Sequence, residues 1–290
     1  MCGKAIRPGG RGSAGGSTDI ERRRVAVRRA RRAAVRWDMA NEYVGERVRV
    51  EVGGEVMGAY LARPSAPGRY PGVVVAHQLF GVTADVRGIA DRLAGQGRVA
   101  IAPEFHHRSG AGIELPVTDE GRARGFALMR ELSRDGVVSD MSAAMSYLRA
   151  RGEVRAVTGV LGVSLGGHLA YLAAARLAVP VTLVLYAGWL TGTEIPVSTP
   201  EPTVELTGGI TGRLVYVVGE QDPVVPPADR RVIADRLVAE GVSHDLVVVP
   251  GAGHAFLAEG TAGYSPAAAE FTWALIEREL ADADSQRTDG

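Results

Sequence analysis

Val157-Thr158-Gly159-Val160-Leu161-Gly162-Val163-Ser164-Leu165-Gly166-Gly167-His168-Leu169-Ala170-Tyr171 carries an apolar run into Gly-x-Ser-x-Gly-Gly, and a helix-forming stretch, Ala170 to Leu177, follows at once. Strand, tight turn and helix in that order form an elbow that lifts its serine to the end of the strand. Ser164 is therefore the candidate nucleophile, and its backbone is expected to be strained. Gly162, Gly166 and Gly167 are needed because a side chain at any of them would strike the neighbouring strand or helix. The same turn aims the Leu165 amide and the positive end of the helix dipole at an incoming carbonyl. An ordinary glycine-rich turn with a surface serine has the same local pattern, so the decision rests on the strand, the helix and partners elsewhere in the chain.

Outward from the elbow, strands alternate with helices. Upstream, Val48, Val50 and Val52 alternate with charged residues before Gly53-Gly54, and Val56 to Leu61 follows, which predicts an antiparallel hairpin. Gly72 to His77 is a short apolar run, as expected of a strand covered on both faces. Val86, Ile89, Ala90, Leu93 and Ala94 keep a helical period that Gly95 and Gly97 stop. Val99 to Pro103 is the next strand, and helical patterns cover Gly121 to Leu132 and Val137 to Arg149. Downstream, Val181 to Tyr186, Leu214 to Val218 and Leu246 to Val249 are strands, with helices at Pro227 to Glu240 and Pro266 to Leu280. The pattern predicts a mostly parallel, doubly wound α/β sheet preceded by an antiparallel hairpin, with its site at the carboxyl ends of the strands.

The bulk numbers agree with one large domain. The chain has 290 residues, 46% of them hydrophobic and 23% charged, enough to bury a substantial core. Its formal net charge is zero, yet Lys4, Arg7, Arg11 and the cluster from Arg22 to Arg36 make the first segment basic and leave the body acidic by difference. That body gives no electrostatic argument for nucleic acid. The single cysteine, Cys2, excludes an intrachain disulfide and a cysteine-based metal site. No apolar stretch approaches membrane-spanning length, so a cytoplasmic protein without a membrane partner is expected. Residues 1–40 are expected to be a disordered basic tail, with Met39 a candidate for the true start; 41–283 are the folded domain, and 284–290 a disordered C-terminus.

A serine hydroxyl is unreactive at neutral pH until a base takes its proton, and the base needs an orienting carboxylate. His254 follows the last strand in Pro250-Gly251-Ala252-Gly253-His254-Ala255-Phe256, a loop from which an imidazole could reach over the elbow. Asp222 follows an earlier strand in Gly219-Glu220-Gln221-Asp222-Pro223, where this fold needs its acid. Glu194, Glu205 and Asp229 are rival carboxylates. The loop after Val73 to His77, His77-Gln78-Leu79-Phe80-Gly81, should supply the second oxyanion donor, the Leu79 amide, beside that of Leu165. His77 is read as a structural support of that loop. Trp189 and Leu190 line an acyl pocket or simply pack in the core; the residues alone do not separate the two. His106 and His107 complete no recognisable metal spacing, so no metal site is expected.

These segments, from about Val44 to the last helix, resemble the dienelactone hydrolase family of the α/β-hydrolase fold. The resemblance rests on His77 to Gly81 with Val86 to Ala94, on Ala102-Pro103-Glu104-Phe105, on the elbow, on Gly219 to Asp222 and on Gly251 to Phe256. It implies hydrolysis of a small ester or lactone, of the carboxymethylenebutenolidase kind, without metal or cofactor. The triad falls on Ser164, Asp222 and His254, and an oxyanion amide on Leu79. Three departures stand out. The family's typical nucleophile is cysteine where this chain has Ser164. Its activating glutamate is Gln78, which hydrogen-bonds but accepts no proton. Of two arginines that clamp a substrate carboxylate, Arg108 matches one and the other position holds Ala258. Dienelactone itself is then not the expected substrate. Gln78, Phe80, Arg108, Trp189 and Phe256 are the candidate substrate-binding residues.

The sequence therefore points to a serine hydrolase working through an acyl-serine, as a monomer or homodimer. Two rivals remain: an acyltransferase, lactonising or cyclising enzyme on the same scaffold, and a ligand-binding protein of low turnover.

Overall fold

The computed structural model describes residues 41–285. The basic segment expected to be disordered lies outside the described residues, as do 286–290. The chain opens with β1 (Tyr43–Val52) and β2 (Glu55–Pro64), paired antiparallel from Tyr43 with Pro64 to Val52 with Glu55. Gly53 and Gly54 close the hairpin at φ 57° and 86°, the left-handed pair that a two-residue turn between right-twisted strands requires. β3 (Tyr70–Ala76), α1 (Ala84–Gly95), β4 (Val99–Pro103), α2 (Asp119–Met129), α3 (Arg134–Ala150), β5 (Val154–Val163) and α4 (Leu165–Arg176) follow. Then come β6 (Val181–Leu185), β7 (Arg213–Gly219), α5 (Pro227–Ala239), β8 (His244–Val249) and α6 (Pro266–Ser285).

The eight strands form one sheet in the order β1-β2-β4-β3-β5-β6-β7-β8, parallel from β4 to β8. Side chains alternate across it, so neighbouring residues of one strand serve different layers. Val73 and Val75 of β3 pack with Val86, Ile89 and Leu93 of α1 and with Ile276 and Leu280 of α6. Val74 and Ala76 pack on the other face with Met141 and Met145 of α3 and Leu169 of α4. With helices on both faces, the parallel strands are apolar almost without interruption, which is why they were legible as continuous runs. Strand β5, which leads to Ser164, lies at the centre, between β3 and β6.

Several boundaries differ from those read in the sequence, each for a local reason. Thr118 and Ser133 accept the amides of Gly121 and Gly136 at 3.1 Å, capping α2 and α3 earlier than the apolar period begins. The stretch between β6 and β7 holds two short 3-10 turns, Pro196–Ser198 and Thr203–Gly209, too brief to leave a periodic signal. At the C-terminus α6 continues through Ser285, past the expected end of the domain at 283, because Arg98 holds Asp284 in an ion pair of 3.0 Å. Among the described residues no helix is long and apolar enough to cross a membrane.

Candidate active site

Ser164 stands between β5 and α4 with φ 54° and ψ −117°, a conformation that costs a non-glycine residue about 1–3 kcal/mol. Its own hydrogen bonds hold it there. The Ser164 amide donates to Leu185 O at 3.0 Å, and its carbonyl accepts from Gly167 N at 2.9 Å and His168 N at 3.3 Å. A β-carbon at Gly162 would run into the Gly166 carbonyl, and one at Gly166 into the carbonyl of Ala76; at Gly167 it would sit 2.9 Å from Ala187 Cβ. These glycines let β5, α4 and the end of β3 close on one another.

The two partners arrive on loops at the ends of β7 and β8. Ser164 Oγ lies 3.0 Å from His254 Nε2, and His254 Nδ1 lies 2.9 Å from Asp222 Oδ2. Asp222 Oδ1 accepts the Val224 amide at 2.8 Å, so the carboxylate is buried with both oxygens bonded. A carboxylate on Nδ1 fixes the tautomer that leaves Nε2 to accept the serine proton. The loops are stitched together: Glu220 accepts the Gly251 amide at 2.9 Å, and Gln221 N donates to Ala252 O at 2.9 Å. Arg230 at the start of α5 donates to the carbonyls of Val225 at 2.7 Å, Glu220 at 3.0 Å and Asp222 at 3.4 Å, bracing the acid loop from below. Glu194, Glu205 and Asp229 make no bond to His254.

The loop after β3 is held by two histidines. Phe105 N donates to His77 Nε2 at 3.1 Å, which places the His77 proton on Nδ1, and Nδ1 donates to Gln78 O at 2.6 Å. Burial, with the ring of His106 5.0 Å away, pushes His77 down to about pKa 3, so it stays neutral. His106 Nε2 in turn donates to Leu79 O at 3.3 Å. In a trans peptide the C=O and N–H point opposite ways, so fixing the Gln78 carbonyl fixes the direction of the Leu79 N–H. Among the described residues neither the Leu79 nor the Leu165 amide finds an acceptor, although both residues are buried. Buried amides are almost always paired, and two bare ones flanking a strained serine make a ready seat for a negatively charged oxygen.

The remaining candidates divide. Gln78 faces a cavity beside the elbow, and Phe80 is nearly buried in the layer under α2 and α3. Trp189, at φ 60°, is half-buried and meets Phe126 of α2 edge-on at 6.3 Å. Two expectations are corrected. Arg108 does not stand free to hold a substrate carboxylate: it grips the fully buried Asp140 of α3 through Nη1 and Nη2, each at 2.8 Å, and reaches Glu55 through Nε at 3.0 Å. Phe256 does not line an opening either. Ala255 turns left-handed at φ 59°, and Phe256 is driven fully into the core, its ring edge-on to Tyr186 at 5.1 Å.

Sequence reasoning missed Arg230, His106 as a support and Tyr186. Tyr186 follows β6 at φ 43° and places its ring 5.2 Å from that of His254. Only the strand end gave a signal for it. Among the described residues, the four non-glycine residues of positive φ, Ser164, Tyr186, Trp189 and Ala255, all fall in the elbow or the loops beside it. Strain concentrated in this way is a mark of a functional site.

The model of the dienelactone hydrolase family matches residues 57–281, from β2 into α6. The chain belongs to the dienelactone hydrolase family. Relatives agree: it is 33% identical over 224 residues to a protein of Synechocystis sp. provisionally named carboxymethylenebutenolidase, covering 76% of this chain and 89% of that one. It is 31% identical to a Bradyrhizobium protein provisionally named 2-oxo-3-(5-oxofuran-2-ylidene)propanoate lactonase, covering 81% and 93%. A crystal structure from Klebsiella pneumoniae, provisionally named dienelactone hydrolase, superimposes with a TM-score of 0.74 at 25% identity, covering 83% of this chain and 99% of that one. As in the rest of the dienelactone hydrolase family, the sheet here is that of the α/β-hydrolase fold.

Proposed function

We propose that this member of the family is a serine hydrolase that opens a small ester or lactone through an acyl-serine. The observation that carries the reading is the continuous hydrogen-bonded line Ser164 Oγ, His254, Asp222, with spacings of 3.0 and 2.9 Å. In this reading His254 Nε2 takes the hydroxyl proton as Ser164 Oγ attacks the carbonyl carbon. The amides of Leu79 and Leu165 receive the oxyanion. As the tetrahedral intermediate collapses, the bond to the leaving oxygen breaks and His254 returns its proton to that oxygen. A water then repeats the sequence: His254 deprotonates it, it attacks the acyl carbon, and Ser164 leaves with the proton. Asp222 keeps the imidazole in the useful tautomer and stabilises its charged form.

The test is a panel of p-nitrophenyl esters and lactones with the wild type and Ser164→Ala. Loss of the hydroxyl should lower kcat by roughly 10³-fold or more, because the oxyanion donors alone retain only a small part of the catalysis. A fluorophosphonate should add its mass to the peptide bearing Ser164. Full activity in the alanine protein, or labelling at another residue, would end the proposal.

A further inference from the structure

A cavity of about 260 Å³ lies between the start of α1, the segment after His254 and α6. Its wall includes Val163, the residue before Ser164; Gln78, the residue before Leu79; and Tyr186, whose ring lies against His254. It is thus one residue away from Ser164 and from Leu79, and one ring contact away from His254. The volume falls below the roughly 300–1,000 Å³ of sites that enclose a whole drug-sized ligand, so it suits one arm of a substrate.

Two features define what that arm can be. Gln78 is 7% exposed and Tyr186 2% exposed, yet neither the Gln78 amide nor the Tyr186 hydroxyl has a hydrogen-bond partner among the described residues. These polar atoms open onto the cavity rather than being sealed from solvent, so a ligand able to bond them would take the place of water there. The charged groups of the wall are Asp85, Glu259 and Arg92. Asp85 makes no ion pair among the described residues, and its pKa is raised by burial and by the nearby charge of Glu259. The Arg92 guanidinium lies 4.1 Å over the Trp273 ring, in the fields of Glu277 and Glu259. Two carboxylates against one cation leave the cavity negative.

Resting on the reading of Ser164 as nucleophile, we propose that this cavity receives an uncharged hydrogen-bonding arm of the substrate, a carboxamide or hydroxyl, and rejects a carboxylate. The Gln78 amide both donates and accepts, which matches either group, and the Tyr186 hydroxyl donates to a carbonyl. A carboxylate would lose its hydration and face Asp85 and Glu259, while the one cation of the wall, Arg92, is already engaged over Trp273 and by Glu277 and Glu259.

Two readouts keep this apart from the nucleophile assignment. In the Ser164→Ala protein, ligand-observed NMR titration compares methyl succinamate with monomethyl succinate, which reads the cavity without turnover. The amide should bind at least tenfold more tightly, Gln78→Leu should cut that preference at least threefold, and Asp85→Asn should improve monomethyl succinate relative to the amide. Equal affinity for the two ligands, or a preference unmoved by both substitutions, overturns the proposal. Separately, cleavage of p-nitrophenyl acetate by the wild type and by Ser164→Ala tests the nucleophile: equal rates would refute Ser164 and leave the cavity result standing on its own.

Discussion

A single hydrogen atom decides whether the line from Ser164 to Asp222 can work. With the Asp222 carboxylate accepting at Nδ1, His254 presents a lone pair at Nε2. In Asp222→Asn the side-chain amide can donate to Nδ1, which moves the ring proton to Nε2, where it faces the serine hydroxyl and blocks proton transfer. The substitution is nearly isosteric, so folding should survive while kcat drops by roughly 10³–10⁴-fold. A fall below tenfold in ester turnover would show that another carboxylate orients His254. Arg108 offers the opposite contrast. It neutralises a carboxylate with no exposure at all, and Arg108→Ala leaves Asp140 a buried charge with His107 Nε2, at 3.3 Å, as its remaining partner, at a cost of about 3 kcal/mol. For a domain of this size that is roughly 6–12 °C in Tm. Thermal melts and kcat/KM on an uncharged ester separate the roles: a large Tm loss with little change in kcat/KM fits the brace, and the reverse would restore Arg108 to the substrate.

At the scale of elements, the sequence announced what periodicity and local chemistry can encode. The Gly53-Gly54 turn, the apolar runs of the covered strands and the crowded glycines around Ser164 each have a cause within a few residues. So did the order serine, aspartate, histidine, each following its own strand. What stayed hidden depends on pairs distant in the chain. Arg108 looked available because Asp140 lies on α3, a helix read for its apolar face. Phe256 looked like pocket lining because it is two residues from His254, and only the left-handed turn at Ala255 sends it inward. Arg230 gave no signal either, since its three acceptors are main-chain carbonyls. Those bonds predict a positioning role for the acid loop. Arg230→Met should lower kcat about tenfold with KM nearly unchanged, as expected when a small displacement of Asp222 and His254 weakens the transition state alone. Arg230→Lys, able to reach one or two of the carbonyls, should recover part of kcat. A stability loss without any change in kcat would make Arg230 a fold residue only.

For the whole molecule, the interior commits two histidines to neutrality, and that sets how it answers acid. His77 beneath the β3 loop is pushed down to about pKa 3, chiefly by burial, and His168 on α4 to about 4 for the same reason. His168 ties three parts of the fold together: Nδ1 lies 2.9 Å from Gly188 O after β6, and Nε2 lies 2.8 Å from Thr203 Oγ1 in the second 3-10 turn. Thr203 must donate to Nε2 when Nδ1 donates to the carbonyl, so a second ring proton has no place. In the unfolded chain both rings take up protons near pH 6.5, whereas in the native protein they resist until about pH 4 and 3. The unfolded state therefore binds more protons across that window. The stability conferred by neutral burial is complete above pH 6.5 and drains away as pH falls towards 4, at about 1.4 kcal/mol per pH unit for each histidine. Carboxylates that are ion-paired in the native state act with the same sign at lower pH, so the informative quantity is a difference between proteins. His168→Gln keeps one donor and one acceptor at the position but does not titrate. It should be less stable than the wild type at pH 7 and should lose stability more slowly between pH 6.5 and 4.5, its slope shallower by about one histidine. Urea unfolding at several pH values measures both slopes, and parallel lines would mean that His168 is protonated in the folded molecule.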